Sequence, residues 1–346
     1  MLEPENNPNP FFAVDPPRLL RFVLSKVLGR IANTERIESR RAAFEKKRAS
    51  DGRAHEVEYF HQLDDPYSHL TAQVVARLAK RYRITLVPHL IRATGGQSQP
   101  EAEKLANWAR RDAGLVAPHF GLSFPNHAGV VPEEPKQDIA AHALVKLSAD
   151  EFITEIERIS TELWSGKLLD RAGSPSTDTM TAIDEGSARL AELGHYSGAT
   201  FYYAGEWYWG VDRLFHLEQR LRDLGACEAP EEPYLVPRPS EDVAGVDARG
   251  LDLHFYPSLN SPYTSIIFDR TVALASSCNI RFQHKPVLPM IMRGVPATRN
   301  KGRYILFDTK READFCGISF GNLVTPIGTP TRRAYSLLPW AKSMGK

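Results

Sequence analysis

The feature that most constrains this 346-residue chain is that it matches itself at one fixed offset. Asp65-Pro66-Tyr67-Ser68 faces Ser261-Pro262-Tyr263-Thr264 at 196 positions. The same offset carries Leu78-Ala79 onto Leu274-Ala275, Ile84 onto Ile280, Trp108 onto Tyr304, Asp112 onto Asp308, Gly121 onto Gly317 and Phe124 onto Phe320. A single ungapped register over roughly sixty residues implies a tandem repeat of one domain.

Local patterning gives the repeat its elements. His55–Phe60 and Arg83–Pro88 read as strands around a helix from Ser68 to Arg81, a β-α-β unit. Helical periodicity follows at Glu101–Leu115, Ile139–Val145, Asp150–Leu163 and Thr181–Leu193. Two strands, Ala199–Tyr203 and Glu206–Tyr208, turn at Ala204-Gly205 and lead to a helix over Val211–Leu224. Proline and acidic residues between Glu228 and Ser240 break all periodicity and read as a linker. Leu251–Tyr256 then restarts the strand pattern, with a helical run over Tyr304–Cys316. Counterparts of the strands and helix at 199–224 would fall beyond Lys346, so the second copy is expected to be incomplete. The implied domains are a helical arm at 1–54, a first copy at 55–227, a linker at 228–250 and a second copy at 251–346 lacking its C-terminal part.

Charge separates the arm from the rest. Between Pro16 and Arg48 stand ten basic residues and three acidic ones, while the whole chain carries a net charge of only +1. Leu20, Leu24, Val27, Leu28 and Ile31 recur at helical spacing after Asp15-Pro16-Pro17, where Asp can cap and proline fits a first turn. An amphipathic helix is expected there, then a polar helix from Thr34 to Arg48. Its basic face points either to water or to an anionic membrane or acidic partner. Near-neutral charge argues against a nucleic-acid partner. Hydrophobic residues at 42% with 25% charged residues exclude wholesale disorder. No basic-then-apolar leader opens the chain and no long apolar run occurs, so a cytoplasmic protein without an integral membrane segment is expected. Cys227, Cys278 and Cys316 are too scattered for a disulfide framework.

A β-α-β half and a β-β-α half separated by a helical insertion resemble the DsbA branch of the thioredoxin fold. His254-Phe255-Tyr256-Pro257-Ser258-Leu259-Asn260-Ser261-Pro262-Tyr263 is similar to the reactive turn of 2-hydroxychromene-2-carboxylate isomerases and kappa-class glutathione transferases. So is Asn300-Lys301-x-x-Tyr304-x-x-x-Asp308-x-x-Arg311-x-Ala313 with Gly317-Ile318-Ser319-Phe320. In the first copy, Gly198-Ala199-Thr200-Phe201 and Trp209-Gly210-Val211-Asp212-Arg213-Leu214 look like the family's closing motifs. The resemblance covers about 55–225 and 251–346. It implies an α/β, thioredoxin-like fold with a helical insertion, and a glutathione-dependent isomerase or transferase of the oxidoreductase superfamily. Glutathione is then the co-substrate and a small organic molecule the substrate. Ser261 would be the catalytic residue, Tyr263, Asn300 and Lys301 would line the thiol and peptide, and Asp212 would match the acid that holds the γ-glutamyl ammonium.

The physics of the turn agrees with Ser261. A helix N-terminus offers unpaired N–H donors and a positive dipole end, so a hydroxyl there can hold a thiolate. A plain N-cap serine is the competing account, as a loop before a helix is for Asn300 and Lys301 and a helix N-terminal acid is for Asp212. The first copy departs from the family pattern: Asp65 occupies the reactive position, and Ala199 stands where the family has a cis-proline. A cis bond before a non-proline residue costs about 3 kcal/mol, so a trans bond is expected. A silent protein that uses both copies for binding, or for pairing as a pseudo-dimer, is the alternative function. A disulfide oxidoreductase is disfavoured, since neither turn contains cysteine. Gly317-x-Ser319-x-Gly321 fits a nucleophile elbow in letters but follows a helical run instead of a strand. The eleven histidines show no metal-site spacing, and surface or turn positions are expected for His55, His61 and His69.

Overall fold

A computed structural model describes residues 17–93, 98–125, 131–167, 176–239, 242–321 and 323–344. Asp15 and Pro16 therefore lie outside the described residues. Contacts divide the chain into two compact units, Arg41–Ser240 and a second made of Met1–Arg40 with Glu241–Lys346.

In the Arg41–Ser240 unit, β1 (His55–Gln62) lies beside β2 (Ile84–Ile91), with α3 (Pro66–Arg81) as the crossover. The pair is parallel. β3 (Thr200–Tyr203) pairs antiparallel with β1, and β4 (Glu206–Trp209) with β3, giving a four-stranded mixed sheet in the order β2-β1-β3-β4. Pro88 sits within β2, tolerable because that strand is at the sheet edge. Between β2 and β3 come α4 (Ala102–Val116), α5 (Glu134–Val145), α6 (Ala149–Trp164) and α7 (Thr177–Leu193). Ser148-x-x-Glu151 forms a reciprocal capping box, which is why α6 starts at Ala149. α8 (Leu214–Asp223) closes the unit after a 3-10 turn at Val211–Arg213.

Strand alternation sorts the core. Val57 and Tyr59 join Leu70, Val74 and Leu78 of α3, Ile156 and Leu163 of α6, and Leu214, Leu217 and Leu221 of α8. Phe60 and Ile91, on the other face, pack with Leu190 of α7. That second layer is close: a Cβ on Gly186 of α7 would lie 2.1 Å from the Leu90 carbonyl oxygen. Glu58, on the same face, takes two bonds from the Arg189 guanidinium and one from His89 at 3.0 Å.

Several expectations need correction. His55, His61 and His69 are buried, as are His142 and His195. The first three are not turn residues: His55 and His61 share the α3-facing side of β1, and His69 lies in α3. A hydroxyl meets the Nδ1 of each: Tyr203 for His55 at 2.6 Å, Tyr59 for His61 at 2.8 Å and Ser160 for His69 at 2.9 Å, while Nε2 of His61 stays buried without a partner. Residues 228–239 lack periodicity yet do not hang free. Glu218 accepts from the backbone N–H groups of Leu235 and Val236, Arg222 donates to the carbonyls of Pro230 and Glu232, and Val236 is fully buried.

The other unit contains α1 (Arg18–Ile31) and, between the units' boundary residues, α2 (Thr34–Ser50). α1 begins on Pro17 without a side-chain cap. Lys310 donates to Thr34 Oγ1 at 2.7 Å and the Arg40 guanidinium lies over Phe307, so the first part of α2 is tied to α10. β5 (Asp252–Phe255) and β6 (Arg281–His284) form a parallel two-stranded sheet around α9 (Pro262–Ser277), followed by α10 (Arg299–Phe315) and α11 (Thr329–Ser343). α11 takes Pro330 in its first turn, where proline fits, and carries Pro339 inside it.

Candidate functional site

Two turns stand at the start of a helix after a parallel strand, one in each unit. In the Arg41–Ser240 unit the turn is capped by Asp65, in extended backbone conformation. Its carboxylate accepts from Tyr67 N at 3.2 Å, Ser68 N at 3.0 Å and Ser68 Oγ at 2.8 Å. Burial pushes Asp65 up to about 6, against the lowering effect of those bonds. Gly198 passes so near that a Cβ would lie 2.8 Å from Ser68 Oγ, and Ala199 takes a left-handed backbone at φ 57°. No cis peptide bond occurs among the described residues, so the bond before Ala199 is trans. Tyr67 donates to Asp112 Oδ2 at 2.7 Å. Burial, Asp112 and the charges of Asp65 and Asp212 all raise the Tyr67 phenol. Asp212 itself lies in the 3-10 turn after Gly210 and forms an ion pair with Arg213 at 2.7 Å.

In the other unit Ser261 caps α9, accepting from Thr264 N at 3.3 Å. A hydroxyl has one hydrogen and two lone pairs, so this cap uses a lone pair and leaves the O–H hydrogen to donate elsewhere. Thr264 Oγ1 in turn accepts from Ser258 N at 3.2 Å, and Ser261 N donates to Ser258 O at 3.0 Å. The loop is thus wound onto the first turn of its own helix. Ser258 Oγ is buried there without a partner. Tyr263 donates to Asp308 Oδ2 at 2.7 Å, tying the first turn of α9 to α10.

The tyrosine–aspartate bonds at 67–112 and 263–308 sit at the same 196-residue offset as the sequence match. α3 and α9 begin and end at that offset as well.

Asn300 and Lys301 are in the first turn of α10, where Thr298 caps by accepting from Lys301 N at 3.3 Å. They belong to a helix, not to a loop before one. Burial lowers the Lys301 ammonium from its ordinary value. Ser261, Tyr263, Asn300 and Lys301 therefore fall on the N-terminal turns of two helices of one unit, while Asp212 belongs to the other unit.

One contributor escaped sequence reasoning. Tyr335, on α11, accepts from Leu259 N at 3.1 Å and donates to Val287 O, so it pins the loops that follow β5 and β6. Only a tyrosine near the end of the chain marked it, and nothing in its spacing points to either loop. Cys227, Cys278 and Cys316 are all free thiols, and none lies on either turn. Gly317-Ile318-Ser319-Phe320-Gly321 follows helix α10 directly, with Gly317 as its left-handed terminus, which is not the strand-to-helix geometry of a nucleophile elbow. Among the described residues no group of His, Cys, Asp or Glu could hold a metal ion, and no helix is long and apolar enough to cross a membrane.

No family model matches the chain, and no curated protein matches it. Among solved structures it is similar to a selenomethionine 2-hydroxychromene-2-carboxylate isomerase, at 18% identity and a TM-score of 0.39, over 49% of this chain and 96% of that one.

Proposed function

We propose that this chain is a tandem thioredoxin-fold protein of the DsbA-like kind, and that its second copy carries a glutathione-dependent isomerase or transferase site centred on Ser261. The observation that carries the reading is the uncommitted O–H hydrogen of Ser261 at a helix N-terminus, beside a buried Ser258 hydroxyl that lacks a partner. The donor set suits a thiol peptide. Ser261 would donate to the sulfur, and the first-turn N–H groups and dipole of α9 would favour its ionised form. Lys301 and Asn300, on the first turn of α10, would meet the peptide's carboxylate and amide. Bound glutathione would supply a thiolate nucleophile toward a small electrophilic substrate. Tyr263 is spent on Asp308, so its role is to hold the turn. Asp212 would serve the first copy's turn, where its charge reaches Tyr67.

The first copy supports a different role. Asp65 uses three of its acceptor sites for donors of its own turn and offers no hydrogen when ionised, and an ionised carboxylate repels a thiolate. This favours a binding or structural duty for that copy, and for the whole chain it is the alternative reading.

Retention of the full chain on glutathione-agarose tests the proposal. Wild type is expected to be retained and eluted by free glutathione. Ser261→Asp keeps a good N-cap but has no hydrogen to donate, so it should lose retention while stability stays within about 0.5 kcal/mol. Ser261→Ala should lose retention and about 1 kcal/mol of stability. Wild type that is not retained at any ligand density leaves the binding reading in place. Reduction of insulin by the chain would instead establish disulfide chemistry.

A further inference from the structure

α1 is a helix with no buried residue. Leu20, Val23, Val27 and Ile31 follow at spacings of three and four, hence on one face, and are 39–47% exposed. Leu19, one turn before Val23, widens that stripe at 76% exposed, while Phe22, seven residues before Gly29, is 61% exposed on another side of the helix. Gly29 lies on the opposite flank, where a Cβ would be 2.8 Å from Gly321 O. The helix is therefore docked by its other side and leaves its apolar stripe to solvent. Arg18, Arg21, Lys26 and Arg30 are its only charged residues, and Lys26 sits over the Phe22 ring at 5.5 Å.

A second helix of the same unit repeats the composition. α11 exposes Leu337 and Trp340, with Met344 at its C-cap, at 57–62%. Its charged residues are Arg332, Arg333 and Lys342. The two helices thus carry seven basic residues and no acidic one, so packing these faces on a second copy would oppose like charges. An apolar stripe with basic flanks and an exposed tryptophan is complementary to an anionic bilayer surface, where acyl chains take the stripe and headgroups take the cations.

We infer that the unit of Met1–Arg40 and Glu241–Lys346 binds anionic lipid surfaces peripherally, through the outward face of α1 with α11 as a second contact. This does not depend on the glutathione reading.

The test is co-sedimentation of the full chain with phosphatidylcholine vesicles containing about 30% phosphatidylglycerol, against phosphatidylcholine alone. Binding should require the anionic lipid and weaken at least tenfold as salt rises from about 50 mM to about 500 mM. Lys26→Gln with Arg30→Gln should lower the partition about 25-fold, roughly fivefold per charge. Val23→Glu with Val27→Glu should abolish binding with an unchanged circular-dichroism melt, since both side chains are exposed. Three results would overturn the proposal: no binding at low salt, equal binding to neutral vesicles, or wild-type self-association that the Val23→Glu/Val27→Glu variant loses without any vesicle binding.

Discussion

Ser261 and Asp65 cap helices at the same 196-residue offset and differ in what they can donate. Both satisfy N–H donors of a first turn, yet only the hydroxyl keeps a hydrogen to offer. The identity of the residue was legible in the sequence; which bonds consume it was not, because capping partners depend on backbone dihedrals. The buried histidines were wholly misread at this scale. Burial pushes His61 down to about 3 and His69 down to about 4. Unfolded histidines would titrate near their ordinary value, so the unfolded chain binds more protons below it. Stability from these two groups is complete above about pH 6.5 and drains as pH falls toward 4, by about 3 kcal/mol per group over two pH units. Asp65 acts in the reverse sense: its raised value means that the folded chain gains relative stability as pH falls through about 6 toward the ordinary aspartate range. Urea midpoints measured from pH 7 to 4 should fall for wild type. In His61→Gln combined with His69→Gln the fall should be smaller; an equal slope would show that these histidines do not drive it.

At the scale of elements, caps and proline positions were readable and docking was not. Ser148-x-x-Glu151 announces α6, and Pro66 after Asp65 announces α3, since these patterns satisfy the orphan donors of a first turn. Gly186 announces nothing. In sequence it is a weak spot within a helix; in the fold it is where α7 approaches β2. Gly186→Ala should separate the two and cost about 3 kcal/mol, the scale of overpacking a close contact. The check is the urea midpoint; a change below about 0.5 kcal/mol would mean the helix shifts freely. α11 and its Tyr335 latch were invisible for a related reason. Pro339 lies inside the helix, where proline ordinarily breaks one, and a bond from residue 335 to residue 259 has no local trace.

For the whole molecule, the 196-residue offset was readable in the sequence, but the grouping of segments was not. The hydrophobic core that includes Val57, Leu70, Ile156, Phe201 and Val236 lies wholly within Arg41–Ser240. A fragment of those residues is expected to fold on its own and melt in one cooperative transition by calorimetry, because its sheet, helices and docked 228–239 segment are all retained. A fragment stopped at residue 227 should melt several degrees lower, having lost Val236 from the core and the two backbone donors of Glu218, leaving it only Tyr82. Equal melting of the two fragments would show that segment to be dispensable.

By itself the sequence marked the strands and most helices of the Arg41–Ser240 unit, the 196-residue offset, and the chemical difference between Asp65 and Ser261, because periodicity, caps and residue type are local properties. Only the tertiary structure decided that β1 buries two histidines, that Val236 joins the core while the 228–239 segment is tied to α8, and that α1 is held by one flank with its apolar stripe exposed. Those outcomes depend on which hydroxyl, carboxylate or backbone lies opposite a group after the chain has folded, and that is a property of distant pairs.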